Sequence, residues 1–146
     1  MARYSAGALT TAGSTLLPII SIYAGASAGG ALREVQVWNT TSSMVALKLV
    51  RLTSTGTQGA GLTRAAHNPN ALGTANCTAF NTHSANPTLG NDLGYRCVLG
   101  PAQGAAAVWT FGDTGIVIAT GVANGIGVIV ENGTGQACQA TLVWDE

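Results

Sequence analysis

Residues 109–146 read WTFGDTGIVIATGVANGIGVIVENGTGQACQATLVWDE, and their periodicity decides the fold class. Within GIGVIVE, Ile126, Val128 and Val130 alternate with Gly127, Ile129 and Glu131. A period of two belongs to a strand with one face toward a core, because successive side chains leave opposite faces of the pleat. Asn132-Gly133 follows, and two residues that tolerate positive φ make a tight hairpin turn. The chain then alternates again, with Ala140, Leu142 and Trp144 opposed by Thr141, Val143 and Asp145.

The same period runs outward through the rest of the chain, broken by Gly, Asn, Pro and Thr/Ser clusters, and no segment carries a helical stripe. The predicted strands are Arg3–Leu9, Leu16–Tyr23, Ala31–Asn39, Met44–Leu52, Ala75–His83, Gly94–Leu99, Ala106–Phe111, Ile116–Thr120, Gly125–Glu131 and Ala137–Trp144. Short strands at this spacing argue for an all-β, two-sheet β-sandwich of jelly-roll type, with a closed barrel as the alternative. In EVQVWN, Val35 and Val37 face the core, and Trp38 covers a second layer or meets a neighbour. In VALKLVRL, Val45, Leu47 and Leu49 alternate, then Val50 and Leu52 break the phase, which predicts a bulge or a strand leaving its sheet. The connection from Thr53 to Thr74 is too long for an idle loop in a compact domain. It is expected to wrap a neighbouring subunit, to contact a partner or to carry one more short strand.

A length of 146 residues fits one domain, 1–146. Six basic and six acidic residues cancel, and the charged fraction of 8% compares with roughly 25% in an average soluble protein. So little charge leaves nothing long-range to hold copies apart, and a homo-oligomer or another protein partner is expected. Direct nucleic-acid binding is disfavoured, because Arg3, Arg33, Lys48, Arg51, Arg64 and Arg96 are scattered instead of clustered. No apolar run reaches the roughly 18 to 20 residues of a membrane-spanning helix, so no membrane partner is expected. LLPIISIYAGASA (16–28) has the apolar run and small residues of a signal peptide, but Gly7, Gly13 and a Thr/Ser cluster precede it and Arg3 is the one basic residue before it. It is read as a strand of the fold.

Catalytic chemistry finds few materials. His67 and His83 have no second ligand at metal-binding spacing. The carboxylates Glu34, Asp92, Asp113, Glu131, Asp145 and Glu146 form no pair by spacing, and Asp113 in FGDTG reads as a turn residue. GASAGGALREV and GVANGIGV lead into strands, whereas a phosphate-cradling loop leads into a helix. The expectation is no enzyme, no cofactor and no metal. Cys77, Cys97 and Cys138 cannot all pair within one chain and are expected to be buried free thiols, a Cys77–Cys97 disulfide being the alternative. Asn39-Thr40-Thr41, Asn76-Cys77-Thr78 and Asn132-Gly133-Thr134 match the glycosylation pattern but read as turn chemistry. Trp109 and Trp144 are expected in the core, and an exposed Trp38 would offer a ring for carbohydrate.

Three blocks, LREVQVWNTTSSMVALKLVRLTSTGTQGAGLT, TAFNTHSANPTLG and VWTFGDTGIVIATGVANGIGVIVENGTGQACQATLVWDE, resemble a group of small virion proteins of tailed bacteriophages. The resemblance covers most of the chain from about Leu32 onward. It implies a particle component, and within that class the chain is most similar to capsid decoration, or cement, proteins. These sit as trimers on the outer surface of the head and bridge the subunits of the major capsid protein. A tail or head-fibre subunit, or a receptor- or carbohydrate-binding module of the virion, is the alternative. The segment 1–30, uncharged apart from Arg3, is a candidate contact arm or the first two strands of the sandwich. Candidate interface residues are Arg3, Tyr4, Leu16 and Leu17 in that segment, with Trp38, Arg64 and His67.

Overall fold

The computed structural model describes residues 1–70 and 75–146, and these residues form strands and no helix. The strands are β1 (Arg3–Leu9), β2 (Ile20–Tyr23), β3 (Gly30–Asn39), β4 (Val45–Leu52), β5 (Ala65–Ala66), β6 (Thr78–Asn81), β7 (Leu89–Leu99), β8 (Ala106–Thr110), β9 (Ile116–Ile118), β10 (Gly125–Asn132) and β11 (Cys138–Asp145). One sheet runs β5-β1-β11-β3-β8, with β9 continuing the β8 edge of β3, and the other runs β6-β2-β10-β4-β7. All pairs are antiparallel, and they nest: β1 with β11, β2 with β10, β3 with β8 and β9, β4 with β7. Successive nested pairs fall in opposite sheets, as when a long hairpin is rolled up. That is a jelly roll.

Sequence alternation accounts for the core. Val35 and Val37 of β3 and Leu142 and Trp144 of β11 point inward from the first sheet, against Leu47 and Leu49 of β4 and Val128 and Val130 of β10 from the second. Tyr4 stacks on Trp144 across the β1–β11 pair, with ring centroids 6.0 Å apart.

Three expectations are refined, the first being the hairpin at Asn132-Gly133: β10 and β11 lie in different sheets, so this turn carries the chain across the sandwich. β4 keeps its phase and pairs with β10 without interruption from Leu47 to Leu52. Val50 and Leu52 are apolar because the second sheet is covered on its outer face too, where they pack with Tyr23, Ile129, Phe80 and Leu89. The irregularities lie in its partners: extra residues in β7 around Gly94, whose φ is +81°, and one at Glu131 of β10. The expected strand at Leu16 begins at Ile20, because Ser14 Oγ accepts from the Leu16 and Leu17 amides in a turn that ends at Pro18.

The long connection is structural. Gly61 bridges to Phe80 at the β6 edge of one sheet, and four residues later β5 joins β1 at the edge of the other. Arg64, between them, donates to the carbonyls of Ala75 and Cys77. The segment thus closes one open side of the sandwich and covers two edges that would otherwise present unpaired backbone groups. The end of this expected loop, 71–74, lies outside the described residues.

Candidate interaction surface

The two sheets differ on their outer faces. That of β2-β10-β4 is roofed by the chain itself: residues 53–59 and 84–88 are joined by the Thr57–Ala85 bridge and the Thr53–Thr88 hydrogen bond, and Tyr23 donates its hydroxyl to the Ser54 carbonyl beneath. The outer face of β1-β11-β3-β8 carries no such layer among the described residues. Its register lays out three rows across the four strands: Leu9, Gln139, Trp38, Ala106; then Gly7, Thr141, Gln36, Val108; then Ser5, Val143, Glu34, Thr110. Glu34 is the one charged residue in them, and Gln36 Nε2 donates to its carboxylate at 2.5 Å.

The first of these rows borders a wider feature. Antiparallel pairing brings the β1–β2, β3–β4, β7–β8 and β10–β11 connections to the same end of the sandwich. Segments 9–19, 38–44, 98–108 and 132–139, about a quarter of the chain, contain none of its twelve charged residues. Leu9, Leu16, Met44, Val98 and Val108 in these segments are between 50% and 64% exposed. The end is therefore free of charge, with these aliphatic side chains at its tip and borders, and its connections are tied down by hydrogen bonds. Asn39 is fully buried: its Nδ2 donates to the Ser43 and Gly100 carbonyls, its Oδ1 accepts from the Thr41 amide and hydroxyl, and its backbone bonds Ala105 and Gly104. Thr41 Oγ1 lies 3.1 Å from Gln136 Oε1, Thr40 Oγ1 donates to the Ala137 carbonyl, and Thr10 Oγ1 accepts from the Cys138 amide. All four connections are thus tied to one another or to their strands by uncharged groups.

The predicted interface residues divide. Tyr4 is in the core, so it is withdrawn as a contact residue: its position alternates inward with Ala6. The segment 1–30 is no free arm, since β1 is an inner strand of one sheet and β2 of the other. Arg3 forms two hydrogen bonds to Asp145, at 2.7 and 2.9 Å, and Arg33 approaches the same carboxylate at 3.2 Å. A bulge in β3 turns Arg33 toward it, the register stepping from Val143–Glu34 to Trp144–Leu32. Arg64 is spent on backbone carbonyls. His67 is exposed and donates its amide to the Arg3 carbonyl at 2.8 Å, so the structure brings these two together beside a depression of about 460 Å³ at the end opposite the charge-free one. Leu16 and, half-buried, Leu17 belong to the charge-free end, and Trp38 is half-buried at its rim. Met44, Val98 and Val108 were not singled out by sequence; the signal was the absence of charge from four separate segments, which becomes a surface only when the topology joins them.

Ionisable groups are engaged internally. Arg3, by hydrogen bonding, and Arg33, by its charge, hold the Asp145 carboxyl below its ordinary value. The Gly94 amide, with Arg96 and Lys48, does the same for Asp92, and Arg96 also bridges to Glu131. Glu146 accepts from the Asn76 and Cys77 amides and from the Trp144 indole. The three cysteines are free, and burial pushes the Cys77 thiol up to about 12 and those of Cys97 and Cys138 up to about 11. His83 is buried with Nε2 2.8 Å from Ser21 Oγ and its pKa lowered by burial. The pair lies under the roof of the second sheet. Among the described residues there is no cluster of His, Cys, Asp and Glu that could hold a metal ion, and no helix long and apolar enough to cross a membrane. Compared with known proteins, the chain matches no family model, no curated protein and no solved structure.

Proposed function

We propose that this protein is a structural component of a bacteriophage particle, a decoration or cement protein that binds the major capsid protein on the outer surface of the head as a homo-oligomer, a trimer by the resemblance. The observation that carries the reading is the contrast between the two outer faces. One is roofed by the chain's own loops, while the other is an open, four-stranded face with a single charged residue in three rows. A regular sheet face with so little charge suits broad contact with a shell, where buried area counts for more than a pocket. The role is mechanical, without catalysis: contacts added across neighbouring capsid subunits oppose the outward pressure of packaged DNA.

A glycan-binding reading asks for Trp38 and the long connection on one side of the sandwich. The first part of that connection lies apart from Trp38, which is on the open face while residues 53–59 lie over the other sheet. The experiment is addition of the purified protein to expanded capsids that lack decoration. Sedimentation with the capsids and a raised temperature of capsid disruption are expected. A protein that ignores capsids and binds host surface glycans overturns the reading.

A further inference from the structure

We propose that the charge-free end of the sandwich, centred on the connections around Asn39, is the surface through which copies of this chain bind one another. The inference rests on the assembly reading above and assigns a surface to it.

Charge selects the occupant. A surface without charges cannot compensate charged groups of a partner, and each one buried against it would lose hydration for nothing in return. The partner surface must then be charge-free as well, and the same end of a second copy meets that requirement. Copies meet without long-range repulsion, because the chain's net charge is zero. Depletion of charge with exposed aliphatic side chains is also the composition of homomeric interfaces, which are more apolar than encounters between unlike proteins. The Asn39 network fixes the connections beforehand, so little order remains to be imposed on binding.

The test places a charge on the surface at residues that are at least half exposed, where the fold itself does not resist it. Leu16→Glu and Met44→Glu are compared with Val122→Glu, equally exposed but in the β9–β10 connection at the opposite end. Light scattering should give the wild type a mass that is a multiple of 14.6 kDa, with association weakened at least about a hundredfold by either end substitution. Val122→Glu should associate as the wild type, and all three should melt as the wild-type fold does. An unchanged mass in the combined Leu16→Glu, Met44→Glu variant overturns the inference, as does equal dissociation by Val122→Glu. A wild-type monomer that still adds to capsids overturns it too and leaves the virion reading standing. An oligomer that the end charges dissociate, but that ignores capsids, supports it and overturns the virion reading.

Discussion

Asn39 shows how a single side chain can organise a surface. Four of its side-chain hydrogen bonds go to groups on the β3–β4 and β7–β8 connections, and none of it reaches solvent. Asn39→Ala would strand the Ser43 and Gly100 carbonyls and the Thr41 amide together, so urea denaturation should report a loss of about 2–3 kcal/mol. His83 makes a different prediction. Its pKa is lowered in the fold from an ordinary 6.5, so the unfolded chain takes up the proton first. The stability that neutral His83 contributes is complete above about pH 6.5 and is lost as the pH falls toward the folded-state pKa. Asp145, lowered from 3.8, adds its own loss only in the more acidic range below that value. The wild-type Tm should therefore fall between about pH 7 and pH 5, and the slope should flatten in His83→Gln. An identical slope in both proteins would assign the acid sensitivity elsewhere.

At the scale of elements, close approach of backbones joins the connections at the charge-free end. A Cβ on Gly135 would run into the carbonyl oxygen and amide of Gly13, so the β10–β11 connection, which crosses from one sheet to the other, fits against the β1–β2 connection only because Gly135 is bare. Gly135→Ala should cost about 1–3 kcal/mol in chemical denaturation, and amide exchange should quicken in residues 10–19 ahead of the strands. Period-two alternation revealed the long strands and their inward faces, because one-sided burial imprints on each strand separately. It misread Val50 and Leu52, since burial on both faces erases the alternation. It passed over β5, a two-residue strand of Ala65 and Ala66 whose place is set by the edge of β1 and not by any pattern of its own. The contact-arm reading of 1–30 put Tyr4 at an interface, whereas pairing with β11, more than a hundred residues away, turns it into the core. The candidate surface was the least legible feature, being assembled from loops that only the nested pairing brings together.

For the whole molecule, the distribution of charge separates two modes of association. Asp145 with Arg3 and Arg33 forms a compact group at the opposite end, and Asp92 and Glu131 with Arg96 and Lys48 form another beside the charge-free end. If copies met through these groups, salt would compete with the ion pairs, because exposed charges are screened within about 8–10 Å near physiological ionic strength. Contact through the uncharged end has no such term. Raising sodium chloride from about 0.05 M to 1 M should then leave the dissociation midpoint within about twofold, whereas sodium sulfate, which is excluded from protein surfaces, should lower it. Light scattering over a dilution series in each salt checks both. A midpoint that rises tenfold or more in sodium chloride would mean that ion pairs hold the copies together, and would move the contact from the charge-free end to the Asp145 or Arg96 groups.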